Sequence, residues 1–220
     1  MITLVCFGDS NTWGYDPDAS AYSPFPIRHP IEVRWTGVLA GALGARYRVL
    51  EEGQNGRTTV HDDPFNPARN GAKILPAILE SHKPIDAVVM MLGSNDLKRF
   101  FNLPASEIAN GAAVLARLVL RSDSGPAGQP PQLLLLCPPR VGDMGHLPDL
   151  GERFADGEPR SRRFPLYFQR LAVELNCAYL DTQPLLTVSR IDHLHFDADN
   201  HRILGLAVAE SVRRMFPADE

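Results

Sequence analysis

The chain has 220 residues, 44% hydrophobic and 22% charged, which is the composition of an average soluble globular protein with length enough for one sizeable core, so a single domain over residues 1–220 is expected. The net charge is −4 and Lys and Arg are scattered, which argues against nucleic acid as a partner. An odd set of three cysteines, Cys6, Cys137 and Cys177, does not make a disulfide framework, no apolar run approaches a membrane span, and the first run ends at Gly8 and Asp9, too early for a signal peptide; a soluble, cytoplasmic protein with no membrane partner is the expectation.

In chain order, the apolar run "ITLVCF" (2–7) reads as a buried strand and breaks abruptly into "GDSN". A long segment without periodicity, 14–32, precedes an amphipathic stretch over 33–44. A second strand (47–52) ends in "GQNGRTT", and a helix follows near 70–81. The third strand (87–92) ends in "GSND", with a helix over 104–121. The fourth (132–137) runs into a long Pro- and Gly-rich excursion, 138–159, then a helix over 161–176. A short strand (178–181) and a last helix from about 198 to 215 complete the pattern. Apolar strands separated by helices indicate a five-stranded parallel sheet in a doubly wound α/β sandwich, and such sheets bind ligands beyond the carboxyl ends of their strands. Every unusual motif of the sequence lies at those ends, and loops as long as 14–32 and 138–159 tend to be lids, binding loops or contact surfaces.

A serine delivered at a strand tip raises the question of catalysis. Its hydroxyl is a poor nucleophile without a base, and the base needs an orienting group. The stretch "IDHLHFD" offers both, with Asp192 three residues before His195. No G-x-S-x-G elbow exists, so this is not the α/β-hydrolase arrangement. Donors for an oxyanion are available on the same edge: the Ser10 N–H, the Gly56 N–H and the Asn95 side-chain amide.

The blocks "FGDSNTWG", the Gly in "GQNGRTT", "GSND" and "DHLH" resemble the four motifs of the SGNH/GDSL hydrolase superfamily, in order and across the whole chain. Through "VRWTGVLA", "EEGQNGRTT" and "LGSND" the likeness extends to small bacterial arylesterases that also act as acyltransferases. That resemblance implies a flavodoxin-like three-layer α/β/α sandwich and an esterase for short acyl groups, with water, alcohol or peroxide as acceptor. It assigns Ser10 as nucleophile, Asp192 and His195 as its partners, and Ser10, Gly56 and Asn95 as the oxyanion hole. No cofactor or metal is implied, and a homo-oligomer is. Asn11 replaces the usual Leu of GDSL, so a more polar pocket wall is expected; Asn11, Trp13 and Leu194 are the candidate substrate-pocket residues.

Each assignment has a competitor. Ser10 suits a helix N-cap, and Asn95–Asp96 an ordinary turn, with Asp96 the structural member. Asp9 and Arg57 read as supports of their loops, and His193 as a solvent or rim residue. His29, His61, His82, His146 and His201 read as surface or loop residues. Trp13, Tyr15, Tyr22 and Phe25 either join the core or wall a narrow apolar pocket. Two other chemistries stay open: a carbohydrate O-acetyl esterase on the same triad, and a two-metal phosphoesterase drawing on Asp9, His61, Asp62, Asp63, Asn95, Asp192, His193 and His195. A non-catalytic ligand-binding relative is the remaining alternative.

Overall fold

Residues 1–217 are described by a computed structural model. Five strands, β1 (Ile2–Gly8), β2 (Tyr47–Gly53), β3 (Ala87–Met91), β4 (Gln132–Cys137) and β5 (Ala178–Asp181), form one all-parallel sheet in the order β2-β1-β3-β4-β5. This is the order of flavodoxin-like doubly wound sheets, whose ligand crevice opens where the chain reverses direction across the sheet, between β1 and β3. The helices are α1 (Ser10–Trp13), α2 (Pro17–Ser20), α3 (Trp35–Leu43), α4 (Gly71–His82), α5 (Ala105–Leu120), α6 (Pro148–Arg153), α7 (Gly157–Ser161), α8 (Phe164–Leu175) and α9 (Ala198–Met215).

Alternation along the strands builds two cores. Val5, Phe7, Val88 and Met90 face α4, α5 and α8, where Leu75, Ile108, Phe164 and Phe168 are buried. Leu4, Cys6, Val89 and Met91 face α3 and α9, where Trp35, Leu39, Leu204 and Val208 are buried. Both faces of the central strands are therefore dry, which is why they read as continuous apolar runs. Cys6 and Cys137 are buried and Cys177 is half-buried; all three are free thiols.

The segments expected to lack structure contain short helices. Asp16 caps α2 by accepting from the Ala19 N–H, and Pro17 and Pro148 begin α2 and α6, where a missing N–H costs nothing. The helix expected over 161–176 is α8, and α7 lies almost wholly within the excursion expected over 138–159. Pro165 sits in the first turn of α8, and a proline there cannot donate back to a preceding turn. Among the described residues no helix is long and apolar enough to cross a membrane.

Candidate active site

Strand β1 ends at Gly8, and the chain turns at once into the four-residue α1, so Ser10 is the first helical residue beyond the sheet edge. Asp9 fixes this elbow, its carboxylate accepting from the Asn11 N–H at 3.0 Å. Burial raises the Asp9 carboxyl to about 6, although the Asn11 amide, His195 and Arg57 pull it down. Arg57, buried beneath, donates to the carbonyls of Gly8 and Glu52 and lies 4.2 Å from the Phe7 ring centroid. Burial also brings the Arg57 guanidinium down to about 10, against the favourable charges of Glu52 and Asp9. The helix packs directly over the end of β2: a Cβ on Gly53 would lie 2.1 Å from the Trp13 backbone nitrogen. Only a glycine allows that approach.

The loops after β2 and β3 bring Gly56 and Asn95 to the same place. Gly56 has φ +77°, a left-handed conformation natural to glycine. Asn95 opens a 3-10 turn, Asn95–Leu97, and its amide makes no side-chain hydrogen bond among the described residues, leaving its donors free toward the cavity it lines. Two buried contacts lock these loops together. Asp96 accepts from both the N–H and the hydroxyl of Thr59, at 3.0 and 2.6 Å, and Lys98 pairs with Asp63 at 2.7 Å. Burial pushes the Asp96 carboxyl up to about 7, with Thr59 opposing.

The third contribution comes from the turn before α9. His195 Nε2 lies 2.8 Å from Ser10 Oγ, and its Nδ1 lies 2.6 Å from Asp192 Oδ2. The other Asp192 oxygen accepts from the N–H groups of Leu194 and His195. Burial favours a neutral Asp192, but the imidazole and these two amides outweigh it and hold the carboxyl below its usual range. Tyr15, thrown back after the turn at Gly14, stacks on the His195 ring at a centroid distance of 4.0 Å. Asn11 joins the two halves of the site across the sequence. Its amide donates to the Leu194 carbonyl at 3.3 Å and accepts from the Phe196 N–H at 3.0 Å.

Ser10, Gly56, Asn95, Asp192, Leu194 and His195 all line one open cavity of about 460 Å³. Tyr15, Pro26, Leu150 and Phe154 supply its apolar wall, and Asn55, Asn66, Arg69, Lys98 and Arg153 its polar wall. A hydroxyl bonded to an imidazole, itself bonded to a carboxylate, can pass a proton away from the oxygen as it attacks a carbonyl; the free Asn95 amide stands beside it as a donor.

Over residues 6–203 the sequence matches the GDSL-like lipase/acylhydrolase family. The chain belongs to this family. Its structure is similar to that of the native M. smegmatis aryl esterase (38% identity, TM-score 0.92, covering 98% of this chain and 100% of that one). It is equally similar to Est24, a carbohydrate acetylesterase from Sinorhizobium meliloti (36% identity, TM-score 0.92, 98% and 100%). The lipase/acylhydrolase from Enterococcus faecalis, at 19% identity and TM-score 0.68 over 100% of both chains, shares the fold. Comparison with curated proteins gives no match. The fold is thus that of SGNH hydrolases, and this GDSL-family member is a carboxylic ester hydrolase of the SGNH type.

Within the GDSL-family site, three sequence expectations are corrected by position. Asn11 is not a pocket wall: both ends of its amide are spent on the His195 turn. Trp13 is absent from the cavity lining and packs under Arg28, 5.3 Å from the guanidinium carbon. His29 and His201 are buried, not superficial; burial, with His29 adding to it, brings the His201 imidazole down to about 3, and its Nδ1 accepts from the Trp35 N–H. His193 faces Gly142 and stacks edgewise on His146, away from the cavity. Of the acids and histidines considered for metal, Asp62 holds Lys73 and Asn70, Asp63 holds Lys98, and His61 packs on Phe101. Among the described residues no three such side chains converge on a point. The polar wall, Asn55, Asn66, Arg69, Lys98 and Arg153, carried no sequence signal, because these residues come from loops and from the end of the short α6, whose positions no local periodicity encodes.

Proposed function

We propose that this GDSL-family member is a serine esterase for short acyl groups, acetyl to butyryl, on aryl or alkyl alcohols, with Ser10, His195 and Asp192 as its triad. Ser10 Oγ attacks the ester carbonyl while His195 Nε2 takes its proton. Asp192 holds the imidazole tautomer and supports the imidazolium. The Ser10 and Gly56 N–H groups and the Asn95 amide receive the oxyanion, and His195 then protonates the departing alcohol. Water, activated by the same imidazole, releases the acid; an alcohol or peroxide entering instead takes the acyl group. The proposal includes a homo-oligomer, supported by the aromatic side chains exposed on the loops around the cavity.

The observation that carries this reading is the unbroken Asp192–His195–Ser10 hydrogen-bond chain facing a ligand-sized cavity. Hydrolysis of 4-nitrophenyl acetate in excess EDTA tests it. Activity in the wild type that survives the chelator and vanishes in Ser10→Ala is expected; activity lost to EDTA or retained in Ser10→Ala would contradict it. A second reading, de-O-acetylation of a carbohydrate on the same triad, is favoured by the amides of Asn55 and Asn66 on the cavity wall and by the likeness to Est24. A kcat/KM higher on an acetylated sugar than on 4-nitrophenyl acetate would select it.

A further inference from the structure

The polar wall of the cavity has a sign. Of its charged side chains other than the Asp192–His195 pair, all are cations: Arg69, Lys98 and Arg153. Lys98 is committed to Asp63. Arg69 and Arg153 form no ion pair among the described residues, although Asp149, Glu152 and Arg99 line an adjoining depression with Arg153. Arg69 also lies beside Gly56. Its Nε lies 3.5 Å from where a Cβ of Gly56 would stand, and Lys98 Nζ lies 3.9 Å from the same position. Arg69 and Lys98 therefore flank Gly56, with Arg153 elsewhere on the same cavity wall, in a protein whose net charge is −4. Asn55, on the same wall, has a buried amide oxygen without a hydrogen-bond partner.

We infer that the cavity selects esters that carry an anionic group, a carboxylate within a few bonds of the scissile ester, held by Arg69 and Arg153. Guanidinium groups suit this task because their planar donors bond a carboxylate in pairs. Arg69 is half-buried and Arg153 exposed, which limits the attraction, so it tunes selectivity among esters instead of deciding activity outright. This inference rests on the serine esterase reading and sharpens its substrate class. The anion belongs to either the acyl arm, as in a diacid half-ester, or the alcohol arm, as in an acylated hydroxy acid.

The test is a charge-preference ratio, the kcat/KM of an anionic ester divided by that of its neutral methyl-ester counterpart. Mono-4-nitrophenyl succinate with its methyl ester examines the acyl arm, and 4-acetoxybenzoate with its methyl ester the alcohol arm. A ratio of about tenfold or more in one arm is expected, the effect of about one charge-assisted hydrogen bond. In Arg69→Gln and in Arg153→Gln that ratio should fall toward one, and in Arg153→Glu below it. A wild-type ratio near or below one in both arms, or a preference that persists in both glutamine variants, would overturn the inference. Failure of the underlying reading looks different: both neutral esters would then be turned over as well by Ser10→Ala as by the wild type.

Discussion

Asp192 is buried beside the imidazole it orients, and the hydrogen bonds it accepts hold its carboxyl below the usual range despite that burial. A carboxyl whose folded value lies below its unfolded value of about 4 stabilises the fold above that pH, and the stabilisation is lost as pH falls through the folded value. Asp192→Asn should therefore lower kcat by about four orders of magnitude, as when an orienting acid is neutralised in other triads. The gap in Tm between the wild type and this variant should be open at pH 6 and close below about pH 4. Near-normal turnover, or a gap that widens in acid, would point to a different acid. At this scale the Ser10–His195–Asp192 hydrogen-bond chain and the proposed oxyanion donors were legible, because short motifs at strand ends carry them. Asn11, His29 and His201 were not. The partners of Asn11 are 183 and 185 residues away and the Trp35 amide is 166 residues from His201, so nothing local distinguishes them from pocket or surface residues.

Among the elements, α1 decides where the serine stands, and its seat is the glycine at the end of β2. Gly53→Ala places a methyl 2.1 Å from the Trp13 nitrogen and 2.5 Å from its Cα. Backbone cannot yield as a flexible side chain can, so the helix must shift and the Ser10–His195 hydrogen bond with it. The expected result is a Tm several degrees lower and a kcat reduced tenfold or more, with a smaller change in KM; calorimetry and steady-state kinetics on one preparation measure both. Unchanged kcat would mean that α1 does not transmit its position to the serine. The strands were readable because burial on both faces leaves an unmistakable apolar run. The short helices α2, α6 and α7 were not, since four to six residues give too little periodicity; their trace was Pro17 and Pro148 at first helical positions. Pro165, in the first turn of α8, likewise marks the start of the helix expected over 161–176.

For the molecule as a whole, the sheet order does the assembling. With β1 at the reversal point, loops from residues far apart in sequence meet over β1 and β3, and the two polar ties, Asp96–Thr59 and Lys98–Asp63, hold that meeting point rigid. Around it Tyr22 is 95% exposed, and Phe25 and Phe65 are each 74% exposed, on loops that also supply Pro26 and Asn66 to the cavity. Aromatic surface of this kind beside a site favours burial against another copy. Light scattering at working concentration should give a mass that is a multiple of the single chain; a monomer would contradict the proposed assembly without touching the chemistry. The chemistry is tested most directly by reaction with diethyl 4-nitrophenyl phosphate, followed by intact mass and peptide mapping. The account predicts one diethylphosphoryl group per chain, on Ser10, with activity lost in proportion and no adduct in Ser10→Ala. An adduct on another residue, or full inactivation with Ser10 unmodified, would contradict it.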